Sequence, residues 1–219
     1  MSITKQMLQI LFPDTKGIDQ VASILDFYRS KFGVDTNLRL AMFLSQVREE
    51  IGSDFKIIRE SLNYSEESLL KTFKVFKDNP QLAEEYGRDE NTPKANQEAI
   101  ANLSYANRLG NGNADSDNDG DLDKDDDGWK YRGAGCLQIT GKSNFEEVIK
   151  RINKYSPNGN TNPDTLEGFI LFGLGFWIWQ DLYKQADNGN VDKVTEKVNK
   201  YTHSYESRKS HYNKIKHLV

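Results

Sequence analysis

Apolar residues recur along this chain at helical intervals. In LRLAMFLSQVREEI, residues 38–51, Leu40, Phe43, Leu44, Val47 and Ile51 stand at i, i+3, i+4, i+7 and i+11, one stripe of a helix. Residues 19–32 repeat the pattern through Val21, Ile24, Leu25, Tyr28 and Phe32 and stop at Gly33, a predicted C-cap. Ser65, followed by Ser68, Leu69, Leu70, Phe73 and Phe76, predicts another helix that closes before Pro80. Further helices are expected over 94–106, 143–154, 165–184 and 190–217. Strand alternation is scarce, and CLQIT (136–140) is the best candidate. The pattern predicts a mainly α-helical globule with an irregular, Gly/Asn/Asp-rich excursion over 107–135. The most apolar run, GFILFGLGFWIW (168–179), is well short of the ~20 residues that span a bilayer. It reads as a buried core helix, and no stable membrane insertion is expected.

At 219 residues the chain is long enough to bury a substantial core. Charge alters the picture more than length does. The formal net charge is −4, but DSDNDGDLDKDDDG (115–128) holds eight of the 33 acidic residues and one of the 29 basic ones. Outside it stand 28 basic residues against 25 acidic ones, a weakly basic body that suits an anionic polymer at least as well as a neutral one. The single cysteine, Cys136, excludes an intramolecular disulfide framework and makes a reducing compartment the default for synthesis. The opening MSITKQMLQILF lacks a basic segment followed by an apolar one, so no signal peptide is read.

The acidic run has internal order. Asp115-x-Asp117-x-Asp119-Gly120 has the spacing of an EF-hand-type calcium loop, in which alternate carboxylates converge on a hard cation and the glycine permits a sharp turn. In that register Asp121 offers its carbonyl, Asp123 takes position nine and Asp126 position twelve. Asp126 is shorter than the usual bidentate Glu, and no clear amphipathic helix leads in. The alternative is a solvated acidic loop kept open by its own repulsion. A structural Ca2+ is the expectation, with no cofactor for catalysis. His203, His211 and His217 do not form a metal site on this reading, and Cys136 is expected to be a small buried hydrophobe.

Candidate chemistry lies in FLSQVREEIGSDFKIIRESLNYS, residues 43–65. At ~100° per residue, Glu50 falls at the margin of the apolar stripe and Glu49 nearly opposite it. A carboxyl at such a margin is partly desolvated, which raises its pKa and suits a general acid. Glu60 follows after the Gly52-Ser53 break. Two carboxylates flanking a scissile bond are what glycoside hydrolysis requires, about 6.5–9.5 Å apart where a water must fit between. Two glutamates ten positions apart are weak evidence by themselves.

Several ordered blocks add to it. FLSQVREEIG, RESLNYS, YANRLGNG (105–112), WKYRGAGCLQITGKSNF (129–145), GFWIW and the late VTEKVNK…SRKSHY resemble, in order, the motifs of glycoside hydrolase family 19, and more closely its phage endolysin branch than the plant chitinases. The resemblance covers nearly the whole chain. It implies a lysozyme-like/chitinase-like helical fold with a substrate groove, organised as a single catalytic domain over 1–219 with an inserted acidic loop at 113–128. It puts the catalytic acid on Glu50, the second carboxylate on Glu60 and the positioning of the attacking water on Thr140. Gln138 and Asn144 would line the groove, Asn199 and Arg208 would contact sugar or orient the Glu60 region, and Tyr64 would stack on or hydrogen-bond to sugar. Alternatively, Gln138 and Thr140 are alternating strand residues and Asn199 a polar position on a surface helix.

Three positions depart from the family pattern. Glu49 stands where His is usual, the Glu50–Glu60 spacing is one residue longer, and Ala134 replaces a frequent arginine. The function implied is an endolysin that hydrolyses the β-1,4 glycan of bacterial peptidoglycan with inversion. It would act as a monomer, with no nucleic-acid partner, stored in the host cytoplasm and released through a holin. The alternatives are a chitinase acting on chitin, and a non-catalytic, calcium-dependent glycan-binding protein.

Overall fold

In a computed structural model that describes residues 2–218, the chain forms two compact units. Residues 1–58, 134–139 and 147–219 make the first, and residues 59–133 and 140–146 the second. The helices are α1 Ile3–Leu11, α2 Ile18–Tyr28, α3 Asn37–Ile51, α4 Glu66–Thr72, α5 Lys74–Asp78, α6 Pro80–Tyr86, α7 Gln97–Tyr105, α8 Asp127–Lys130, α9 Lys142–Tyr155, α10 Leu166–Trp179, α11 Leu182–Asp187, α12 Val191–Asn199 and α13 Tyr205–Ile215. The protein is mainly helical, as the periodicity predicts. Among the described residues, β-pairing is confined to two isolated bridges, Ser65–Arg88 and Ala134–Ile139.

In the first unit α3 is the central element. Thr36 caps it, its Oγ1 accepting from the Arg39 amide at 3.2 Å. Every residue from Leu40 to Val47 is buried, including Ser45 and Gln46, because α1, α11, α12 and α13 pack around the helix. A single apolar stripe therefore understates how deeply this helix sits. Beside it, α10 is buried from Gly168 to Gly175 and again at Trp177, the core helix expected from its apolar run. Phe43 meets Trp177 edge-on at 5.6 Å, and Phe55 meets both Phe12 and Phe169 edge-on. No helix among the described residues is long and apolar enough to cross a membrane.

In the second unit, Leu62, Leu69, Phe76, Ala83, Ile100 and Ala101 form the buried cluster, and Tyr64, Phe73, Tyr105 and Trp129 pack against it.

Several boundaries differ from the sequence expectation. The helix read over 65–79 breaks at Phe73, which turns extended (φ −112°, ψ 132°) and sets its ring against Tyr64 and Phe76. Pro80 does not only end that run; it opens α6 at the first helical position, where a missing amide hydrogen costs nothing. The stretch over 165–184 is interrupted at Asp181, whose φ of 54° is left-handed, and that over 190–217 breaks after Asn199. The second helix becomes a 3-10 turn over Arg29–Phe32 and ends at Gly33 (φ 75°), the cap expected there. CLQIT is not a strand. Residues 135–138 turn, with positive φ at Gly135 (71°) and Gln138 (49°), and the Ala134–Ile139 bridge closes them.

Candidate functional site

Glu50 lies in the last turn of α3, in the first unit. Its carboxylate accepts from Arg208 Nη2 at 2.6 Å. Arg208, on α13, is only 2% exposed and fully engaged: Nη1 donates to Gln46 Oε1 at 2.9 Å and Nε to Ser204 Oγ at 2.9 Å. Thr195 Oγ1 donates to the same Gln46 oxygen at 3.3 Å. An arginine so close should pull a carboxyl's pKa down. Here burial outweighs it, and with a further push from Glu49 the Glu50 carboxyl lies above the usual glutamate range. The result is a glutamate that holds its proton more readily than an exposed one, yet whose anion has a partner waiting. That combination suits a group that must give up a proton once per cycle.

Glu49 does not face open solvent, as its place on the helical wheel had suggested. It accepts a hydrogen bond from Ser207 Oγ and lies 2.7 Å from His211 Nε2, both on α13. Burial lowers the His211 pKa against the opposing attraction of Glu49. The acid that replaces the family's usual histidine thus has a histidine as its partner.

Gln138 and Cys136 belong to the bridged turn of the first unit. Gln138 Nε2 donates to the Gly135 carbonyl at 3.0 Å. Its positive φ, uncommon for a residue with a side chain, holds it at the turn's corner. Cys136 is buried and burial pushes its thiol up, consistent with a packing role. Asn199 ends α12 and is exposed.

Glu60 belongs to the second unit, on an irregular segment fastened to its neighbours. Its amide donates to the Gly133 carbonyl at 3.0 Å, and the Gly133 amide donates back to Glu60 Oε2 at 3.1 Å. Tyr105 Oη donates to the other carboxylate oxygen, Oε1, at 2.5 Å. Tyr64 is half-buried, its phenol raised by burial first and by the charge of Glu60 second. Thr140 is half-buried, and its carbonyl accepts from Asn144 Nδ2 at 2.8 Å, so half of the Asn144 amide serves the start of α9. That helix start is built by the loop 105–112. Asn111 Oδ1 accepts from the Lys142 amide at 2.9 Å, and the Leu109 carbonyl from the Ser143 amide at 2.9 Å. Gly110 (φ 82°) is needed there, since a Cβ would fall 2.0 Å from Ser143 Oγ.

The acidic run lies in the same unit and is anchored through Asp126, 1% exposed. Its carboxylate accepts from Ser116, from Asn102 Nδ2 at 3.2 Å and from the Asp123 amide at 3.2 Å. Carboxylate oxygens of Asp115, Asp117 and Asp126 lie within 4.8 Å of one another. Those of Asp119 and Asp123 accept amide hydrogens from within the run, Asp121 N and Asp125 N respectively. Burial and the neighbouring Asp119 raise Asp117, while Asp119 foremost raises Asp121. Converging hard oxygen donors whose like charges repel one another fit a calcium ion, which Asp115, Asp117 and Asp126 would hold.

The chain is 34% identical over 202 residues to a glycosyl hydrolase family 19 domain-containing protein of Haemophilus influenzae, a match spanning 91% of this chain and 88% of that relative. The chain belongs to glycosyl hydrolase family 19. No family model matches the sequence. Membership makes it a glycoside hydrolase of the chitinase- and lysozyme-like kind, in keeping with its helical fold. The sequence pattern marks Glu50 and Glu60, and the family resemblance marks Arg208. Neither singles out Tyr105, Gly133, Gln46 or Ser204, the groups that hold them. Gln46 carried a signal, being a polar residue inside an otherwise apolar helical stretch.

Proposed function

We propose that this family-19 protein is an endolysin that hydrolyses the β-1,4 bonds of peptidoglycan glycan strands with inversion, and that it belongs to the family's phage branch. Glu50 gives its proton to the leaving glycosidic oxygen. Glu60 takes a proton from a water whose oxygen bonds to the anomeric carbon, and Thr140 orients that water. Gln138, Asn144, Tyr64 and Asn199 contact sugar. Arg208 stabilises the negative charge left on Glu50. The observation that carries the reading is the state of Glu50: a carboxyl raised by burial, with a buried guanidinium 2.6 Å away to stabilise its anion. A calcium ion on the acidic run would stiffen the loop and take no part in proton transfer.

Chitin hydrolysis is the second reading, because the relative's family name is equally consistent with it. One comparison separates the two. Purified protein is given permeabilised bacterial cells, followed by turbidity, and in parallel soluble chitooligosaccharides, followed by product release. Clearing of the cells with little chitooligosaccharide cleavage is expected. The reverse result would make the protein a chitinase, and binding of both substrates without cleavage of either would make it a glycan-binding protein.

A further inference from the structure

We propose that Tyr105 is a positioning residue for the general base, fixing the orientation of the Glu60 carboxylate toward the attacking water. This inference rests on the reading of Glu60 as the base and adds to it the residue that makes the base work. A carboxylate offers about four acceptor sites, two on each oxygen. The Tyr105 hydroxyl fills one on Oε1 at 2.5 Å and the Gly133 amide one on Oε2 at 3.1 Å. With one donor on each oxygen, the carboxylate plane is fixed. The Glu60 backbone is fixed as well, through its own amide to the Gly133 carbonyl at 3.0 Å. A base held at both oxygens and at its backbone loses little entropy when a water must be aligned beside it.

Of the two donors, only Tyr105 is a side chain, and its position is built from elsewhere. It ends α7, and its ring packs against the buried cluster of the second unit. Burial, then the negative charge of Glu60, raise its phenol far above neutrality, so it donates throughout the range in which the protein works. Tyr105 therefore holds the free base aligned before the water attacks.

Tyr105→Phe keeps the ring in the cluster and deletes the donor. In the intact protein we expect kcat to fall roughly ten- to a hundredfold, because a carboxylate no longer held in its plane misaligns the attacking water. KM should stay within about twofold, because no substrate contact is removed. A residue that merely supports the fold would lower the melting temperature and cost as much in the absence of the Glu60 carboxylate as in its presence. The decisive measurement is the double variant. In a Glu60→Gln background, Tyr105→Phe should lower the residual rate by less than about twofold, there being no carboxylate left to position. A loss as large in the Glu60→Gln background as in the wild-type one would overturn the inference. If Glu60→Gln abolishes turnover while Tyr105→Phe is silent, this inference alone falls. If Glu60→Gln alone keeps near-normal turnover, the assignment of the base falls and carries this inference with it.

Discussion

Replacing Arg208 with methionine tests how Glu50 is held. The side chain is 2% exposed, so methionine keeps much of its volume while removing the charge and the donors to Glu50, Gln46 and Ser204. Breaking a buried ion pair from one side costs about 3–5 kcal/mol, because the remaining charge is uncompensated. Glu50 has an escape, which is to take up a proton. At pH 7 that escape costs about 3.7 kcal/mol for a carboxyl of ordinary pKa, which bounds the electrostatic part of the loss. At pH 5 the same escape costs only about 1 kcal/mol. The deficit against wild type should therefore be about 3–5 kcal/mol at pH 7 and smaller at pH 5, by at most about 2.7 kcal/mol, because wild-type Glu50 gains part of the same stabilisation.

The sign follows from which state holds the proton. The folded-state pKa of Glu50 is already raised, so between its unfolded and folded values the native state holds a proton that the unfolded state has released. Lowering the pH through that window stabilises the fold, and raising it removes that stabilisation. Arg208→Met deletes the attraction that opposes burial, so the window extends to higher pH. Urea unfolding of both proteins at pH 5 and pH 7 measures the difference. In a chain of this size, the pH 7 deficit corresponds to a melting temperature lower by about 6–20 °C. Equal deficits at the two pH values, or less than about 1 kcal/mol at both, would refute the argument that burial governs Glu50.

Glu50→Gln should lower turnover at least ~10²-fold while the protein stays folded, since the amide oxygen still accepts from Arg208; turnover and circular dichroism on one preparation check both halves. Glu49→Gln should be mild, within about threefold in turnover, because its acceptor for Ser207 and His211 survives. Glu49 also pushes Glu50 up, so its neutralisation should move the alkaline limb of the pH–rate profile down by less than about one unit, an upward movement being the contrary result. Calcium should raise the melting temperature, by about 2.7 kcal/mol of added stability at a hundred times its Kd, and chelator should reverse this while substantial low-temperature activity remains. Immediate loss of activity in chelator with unchanged melting would assign the metal to the chemistry instead.

What could be read from the sequence, and what could not, divides along the range of the interactions concerned. The helices were legible because their apolar spacing is local, and so were the Gly33 cap and the core character of GFILFGLGFWIW. CLQIT carries a strand-like pattern although residues 135–138 turn, because the left-handed backbone at Gln138 leaves no mark in a five-residue pattern. Glu50 was legible as a carboxyl at the edge of an apolar stripe, but its electrostatic state was not. That state depends on Arg208, 158 positions later, and on a second helix covering the side of α3 assumed to face solvent. The same covering turned Glu49 from an open acid into the partner of His211. Periodicity reports that a helix has an apolar face; it does not report how many neighbours enclose it. For an acid catalyst that number matters most, because the enclosing groups set both the desolvation that retains the proton and the cation that stabilises its loss. A substitution on α13 should therefore alter the chemistry of Glu50 as directly as one on α3 itself.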